Sequence, residues 1–487
     1  MLKYTGHPFY DVGVATIAAF VNKRNPALLT EADLDRVADY MASQYIVDPL
    51  RSFLTVAFPN SGFTNPAFSK SPERRMEYAE RVLRAYKTDV PRLADRCVFT
   101  GEPAVGIAFS AALPPGRAFR QHIPLLTGED IINFYPWGNA GLPVSGKAIL
   151  AIHAFPLVCA KCVGRLLSVH SDNPDLVYDF AAEFLRYNRR AITLAQQSGS
   201  KKLPEAESSA KTLLIETLLK VEQSRRDEAR ERRPASVTAY HLSNLGATPS
   251  LDIYHLPLEL TGFLIEVIGP DYKQEWDAIV HRAWWSTQHL RNQKGDESDR
   301  GATRPQRNVL YEDLFQLPGN VREFVRRYFL RIPVRTRSDD PRRAYSLRGE
   351  AGLISWKITE LFLRRVVNMD KERVQQIREL GDRLAAYVSQ ENDRQFFAAF
   401  FQHRYDHFRA ALIKANLAYV QRGNPPLITL DPYIAIFEEG NDIAAPDWRL
   451  ARDLVLIRMV EQLYRQGWLG KHPDAIPEVS EELESAS

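Results

Sequence analysis

Cysteine is scarce: three thiols in 487 residues, at positions 97, 159 and 162. That is too few for a disulfide scaffold and in keeping with a reducing compartment. Long apolar runs are missing as well. No uncharged stretch approaches the ~20 residues of a membrane span, and Met1-Leu-Lys-Tyr-Thr-Gly-His-Pro8 lacks the charged head and apolar run of a signal peptide. A cytoplasmic protein with no membrane partner is expected. Catalytic signatures are absent too: there is no G-x-x-x-x-G-K-[ST], no G-x-G-x-x-G opening a helix after a strand, no H-E-x-x-H and no G-x-S-x-G. His403 and His407 stand four apart but without a carboxylate partner pattern, so no enzyme is expected. Nor does one charge dominate. The 63 basic and 60 acidic residues give a formal +3, a balance that neither demands nor excludes nucleic acid.

What is present divides the chain by texture. Its length allows two or three domains with cores of their own. Residues 1–95 read as helices. Thr30 with Asp33 resembles a capping box with Asp in place of Glu, and Leu34, Val37, Ala38 and Met41 fall on one face. From 97 to 170 short apolar runs are broken by Gly and Pro, and Ala104–Ala112, Ala148–His153 and Arg165–His170 read as strands of a small β-rich insert. Leu251–Ile268 reads as strands or a hairpin interrupted by Pro257. From about 350 to 470 the pattern is helical. One stripe runs through Val374, Ile377, Leu380 and Leu384, another through Phe397, Phe401, Tyr405, Phe408 and Leu412, and a third through Leu450, Leu454, Ile457 and Tyr464. Gly295–Arg307 reads as an exposed loop and the Glu-rich tail after Lys471 as a frayed end. The expectation is an α+β chain: a largely helical N-terminal domain over 1–345, with the insert at 97–170, and a C-terminal helical bundle over 346–487.

The cysteines are spent on one motif and a half. Cys159-Ala-Lys-Cys162, followed by Gly164, has the spacing at which a single turn presents two sulfurs to one metal. Cys97-Val-Phe-Thr100-Gly101 has the same rhythm, with threonine where a second thiol would stand. Cys97, Cys159 and Cys162 are therefore candidate zinc ligands, with His170, His153 or another group as the fourth. The other reading is three buried thiols whose local fold stands on apolar contacts.

Two loops carry amides and rings suited to base edges. One is Pro59-Asn-Ser-Gly-Phe-Thr-Asn-Pro66, with Asn60, Phe63 and Asn65. The other is Ile131–Gly141, with Asn133, Tyr135, Trp137 and Asn139. A turn capping a core is the plainer account of both. Arginine is frequent between 282 and 348. Arg322, Arg326, Arg327, Arg331, Arg335 and Arg337 could follow a phosphate backbone, or form a solvated helix face partly paired with Glu323, Asp339 and Asp340.

Cys97-x-x-Thr-Gly, Gly141-Leu-Pro-Val-Ser-Gly146, Cys159-Ala-Lys-Cys162 and Arg165-Leu-Leu-Ser-Val-His170 together resemble the CXXC–CXXC group of CRISPR-associated proteins, the large subunits of type I-B Cascade surveillance complexes. Thr100 departs from that pattern by replacing the second cysteine. The resemblance implies a non-catalytic subunit that helps hold the 5′ end of the guide RNA and recognises the protospacer-adjacent motif on target double-stranded DNA. It also implies R-loop stabilisation with other Cascade subunits, and a surface for a downstream effector, either a helicase-nuclease or a transposition adaptor. A small subunit made from an internal start is implied as well, and Met369, the only methionine between Met76 and Met459, is its candidate. On this view the two loops read or wedge the motif duplex, the arginines hold nucleic acid, and any zinc is structural. A stand-alone zinc-ribbon nucleic-acid-binding regulator is the rival reading; an enzyme with a dispersed active site is another.

Overall fold

The computed structural model describes the chain except residues 69–70, 112, 129–130, 134–137, 231–232, 247–248, 286–305, 338, 440–442 and 478–487. The Gly295–Arg307 loop therefore lies largely, and the tail from Glu478 wholly, outside the described residues. The chain is α+β, as its texture predicts, and forms two compact units, Met1–Thr261 and Gly262–Ser487.

The first unit is built around α1 (Pro8–Phe20), whose residues Phe9 to Ala18 are all buried, the mark of a helix at the centre rather than on the surface. Gly13 lets α5 (introduced below) approach: a Cβ there would lie 1.9 Å from the Ala151 carbonyl oxygen. α2 (Glu31–Gln44) starts at the expected capping box. The Asp33 carboxylate accepts from the Thr30 amide at 2.8 Å while Thr30 Oγ1 accepts from the Asp33 amide. α3 (Leu50–Leu54) and α4 (Pro72–Leu83) follow.

The segment after residue 90 begins with two small antiparallel hairpins. β1 (Arg92–Arg96) pairs with β2 (Pro103–Val105), and β3 (Arg117–Ala118) with β4 (Leu142–Pro143). The expected strand at Ala148–His153 is instead helix α5 (Gly146–Ala154). A short apolar run does not distinguish strand from buried helix; here Ser145 decides, its Oγ capping the Ala148 amide. β5 (Ala160–Cys162), β6 (Arg165–Ser171), β7 (Val237–Ser243) and β8 (Ser250–Leu256) form one antiparallel sheet in that order. Helices α6 (Pro174–Gln197) and α7 (Ala210–Asp227) connect β6 to β7. The β-rich stretch 97–170 is thus no separate insert, because its last strands share a sheet with residues 237–256. Of Leu251–Ile268, only the first part is strand; after Pro257 the chain turns into α8 (Leu258–Val267).

In the second unit, α9 (Lys273–His281), β9 (Trp284–Trp285), β10 (Arg307–Asn308), α10 (Val309–Asp313) and α11 (Val321–Phe324) come first, and α11 runs into a π turn over Val325–Phe329. Then come α12 (Leu347–Glu350), α13 (Trp356–Arg365), α14 (Lys371–Glu391), α15 (Arg394–Ala399), α16 (Tyr405–Gln421), α17 (Leu430–Phe437), α18 (Trp448–Arg465) and α19 (Trp468–Lys471). α18 is buried almost all round, and α14 lies along it with the stripe Val374, Ile377, Leu380 and Leu384 inward. The unit boundary falls at Thr261/Gly262 rather than at 345/346. The reason is that residues 320–330 belong with the C-terminal helices: the Phe324 ring stacks on Phe362 at 5.2 Å, and Arg322 and Arg326 bind Asp453. Among the described residues no helix is long and apolar enough to cross a membrane.

Candidate nucleic-acid interface

The first amide-bearing loop has a buried root and an exposed tip. Phe63 is completely buried, edge-on to Tyr45, Tyr78 and His153 with ring centres 5.0–5.6 Å away. It anchors the loop and is not placed to wedge a duplex, which corrects the role expected for it. Gly62 lies flat on the Tyr78 ring, where a Cβ would come within 2.2 Å of ring carbon. Asn65 spends its side-chain oxygen on the Ala67 amide at 2.9 Å. Asn60 is the residue that faces solvent at the tip, with φ 58°, a left-handed conformation that Asn tolerates better than most residues. Arg81 reaches over the Tyr78 ring on which Gly62 lies, 5.9 Å from its centre; it is exposed and has no ion-pair partner among the described residues.

In the second loop, Asn133 is buried and donates to the carbonyls of Asn139 and Gly141. It is a brace rather than a reader, a second correction. Tyr135 and Trp137 lie outside the described residues. Asn139 is exposed. Gly141 (φ 70°) sits against the Ala118 carbonyl and Arg117.

Both loops are tied to one short segment, Arg117 to His122. The tie for the first is Asn244, fully buried at the end of β7. Its backbone N–H donates to Val56 O at 2.8 Å, its Nδ2 to Ala57 O and Arg120 O at 2.9 Å each, and its Oδ1 accepts from Arg120 Nε at 3.1 Å. Arg120 Nη2 donates in turn to Asn244 O at 2.7 Å and to Gly246 O. The tie for the second is the β3–β4 pairing of Arg117 with Pro143 and Ala118 with Leu142. Asn244 carried no signal in the sequence, since its partners are 124 and 187 positions away. Beneath the loops lie two buried histidines. His153, parallel to Phe58 at 4.7 Å, is pushed down to about 4 by burial, and His122 down to about 3 by burial and by His153.

The cysteine motif is organised differently from a knuckle. Val163 and Gly164, both with positive φ, are the two-residue turn of the β5–β6 hairpin in which Cys162 pairs with Arg165. Cys159 enters that strand extended. Residues three apart on a strand point to opposite faces, so the spacing that chelates on a turn separates the sulfurs here. Cys159 Sγ donates to Phe155 O at 3.4 Å, and burial pushes the Cys162 thiol up to about 12. Cys97 is buried within its own turn, closed by Gly101 N to Cys97 O at 2.9 Å. Thr100 meets Ser145, and His170 Nε2 meets Asp11 at 3.3 Å. Among the described residues no three His, Cys, Asp or Glu side chains come together as a metal site.

The arginine series turns largely inward. Arg326 and Arg322 bind the fully buried Asp453, which Arg452 also binds at 2.6 Å. Arg331 is completely buried, with Glu350 at 3.1 Å and the Tyr345 ring 3.8 Å below its guanidinium. Arg327 and Arg342 share Asp313. A phosphate-binding role for Arg326, Arg327 and Arg331 is thereby corrected, because their charges are consumed inside the fold. Arg335 and Arg337 reach solvent, and Arg337 has Asp339 at 3.4 Å.

Set against known proteins, the sequence matches no family model and no curated protein.

Proposed function

We propose that this chain is a non-catalytic large subunit of an RNA-guided CRISPR surveillance complex that recognises a short motif on duplex DNA. In this reading it works with guide RNA and other Cascade subunits, stabilises the R-loop, and presents a surface to a helicase-nuclease or a transposition adaptor. The observation that carries the reading is the convergence of two loops on Arg117–His122, each exposing one asparagine amide, with Arg81, which has no ion-pair partner among the described residues, over the Tyr78 ring that supports the first. An amide supplies the paired donor and acceptor that base edges require, and an exposed guanidinium at the root of the same loop suits a phosphate. Asn60 and Asn139 are assigned to the motif and Arg81 to the backbone. Zinc has no part in this reading.

The test is binding of motif-bearing duplex by the chain assembled with its guide RNA and companion subunits. Asn60→Ala or Asn139→Ala should cost about 1–3 kcal/mol on the correct motif and little on a scrambled one. Arg81→Ala should weaken both equally and lower the salt slope by about 1. Unchanged discrimination in the double asparagine variant removes the loops from the interface.

A further inference from the structure

We infer that Arg75 of α4 and Arg51 of α3 form a binding site for one phosphate group. The site uses none of the residues assigned above to the motif duplex and does not depend on that reading.

Arg75 stands where an apolar residue is expected. α4 buries Arg75, Tyr78, Ala79, Val82 and Leu83, the i, i+3, i+4, i+7 and i+8 positions of a core stripe. A cation enclosed in such a stripe is costly unless an anion answers it. The other enclosed arginines among the described residues are answered: Arg117, Arg225, Arg326, Arg331, Arg452 and Arg458 each have a carboxylate oxygen within 3.2 Å. Arg75, 5% exposed, is the exception. Its guanidinium makes no hydrogen bond or ion pair among the described residues. Nε is sealed from solvent without a partner, whereas Nη1 and Nη2 are not sealed, so the missing anion can arrive from outside the chain.

The carboxylate that acts on Arg75, Asp48, is already engaged. Its Oδ2 accepts from Arg51 Nη2 and its Oδ1 from Ser52 at 2.6 Å. Burial lowers the Arg75 pKa, Arg51 lowers it further, and Asp48 offsets them only in part. Two guanidinium groups thus share one carboxylate, which leaves one positive charge over. Arg51 has only Nη2 committed among the described residues, so it too can donate. A planar carboxylate is filled by a single arginine fork, whereas the tetrahedral oxygens of a phosphate accept from two arginines at once. That selects phosphate.

Titration of the full chain with inorganic phosphate at constant ionic strength, followed by phosphorus NMR, tests the site. Saturable binding is expected, weakened about 10- to 100-fold in Arg75→Met and about 10-fold in Arg51→Met, as loss of charged hydrogen-bond donors provides. Arg74→Met, at an exposed neighbouring position, should bind as the wild type does. Because R75M removes an unanswered buried charge, its urea midpoint without phosphate should equal or exceed that of the wild type. A lower midpoint would overturn the proposal by showing the guanidinium already answered inside the fold. Phosphate binding that R75M leaves unchanged, or that never saturates, would overturn it as well. A single-stranded oligonucleotide then separates two sources of the group: displacement of inorganic phosphate supports a nucleic-acid backbone, and retention supports a free phosphate.

Discussion

Replacing Asp453 by Asn should destabilise the second unit by about 3–5 kcal/mol, the usual cost of stripping one partner from a buried ion pair. The structure indicates the upper part of that range. Asp453 is completely buried and answers Arg452, Arg326 and Arg322 at once, and Arg452 and Arg326 are themselves almost wholly enclosed. An amide of the same shape would leave those guanidinium groups uncompensated away from water. Urea unfolding followed by tryptophan fluorescence reports this unit well, because Trp276, Trp284, Trp285, Trp356, Trp448 and Trp468 lie in it and only Trp137 lies elsewhere. With a slope of roughly 2–3 kcal/mol per molar, the midpoint should fall by about 1.3–2.5 M. Arg337→Ala, on the surface, should leave it in place. Acid provides a second measure. Burial alone would raise the Asp453 carboxyl, but Arg452, Arg326 and Arg322 outweigh it and hold the carboxyl below its ordinary value. A depressed folded pKa gives stability that is present above the unfolded value, near 4, and lost as pH falls through the folded one. The wild-type chain should therefore lose this contribution only below about pH 4, and D453N should lack that acid-dependent loss. A midpoint shift under about 0.3 M in D453N would refute the account of the arginine cluster.

Asn244→Ala should loosen the first loop. Two backbone carbonyls and the Arg120 guanidinium lose their partner, at about 3 kcal/mol in total, so amide protons of residues 56–65 should exchange about 100-fold faster; unchanged exchange would remove Asn244 as the tie. His153, held near 4 by burial, binds its proton in the unfolded chain first. Its contribution is complete above about pH 6.5 and declines by about 3 kcal/mol as pH falls toward 4. His153→Phe should flatten that slope, and an identical slope would place its source elsewhere. If an internal start is used, mass spectrometry of the purified complex should find a fragment beginning at Met369, one residue before the Asp370 cap of α14; absence of any such fragment rules out that start.

What could be read from sequence was local. The Thr30–Asp33 box and the α14 stripe lie within a few residues of themselves, so spacing alone carries them. Spacing failed where the answer was distant or ambiguous. Cys159 and Cys162 stand three apart whether the chain turns or extends, and only pairing with Arg165–Leu167 makes it extend. Ala148–His153 is apolar up to its final histidine, and its helical state follows from Ser145 and from close approach to α1. The arginines at 322 and 326 advertise positive charge, yet their carboxylate is 131 and 127 positions away. Asn60 and Asn139, both exposed, could be named beforehand as candidates only. That Phe63 and Asn133 serve as supports, and that Asn244 joins the pieces, needed the tertiary structure.

The root of the Asn60 loop has one more effect. Phe63 is clasped by Tyr45, Tyr78 and His153, and Gly62 allows no side chain between backbone and ring. A tip so braced is preorganised and surrenders little conformational freedom when it meets a ligand. Changes at the tip itself should therefore register in how long a complex survives rather than in how fast it assembles.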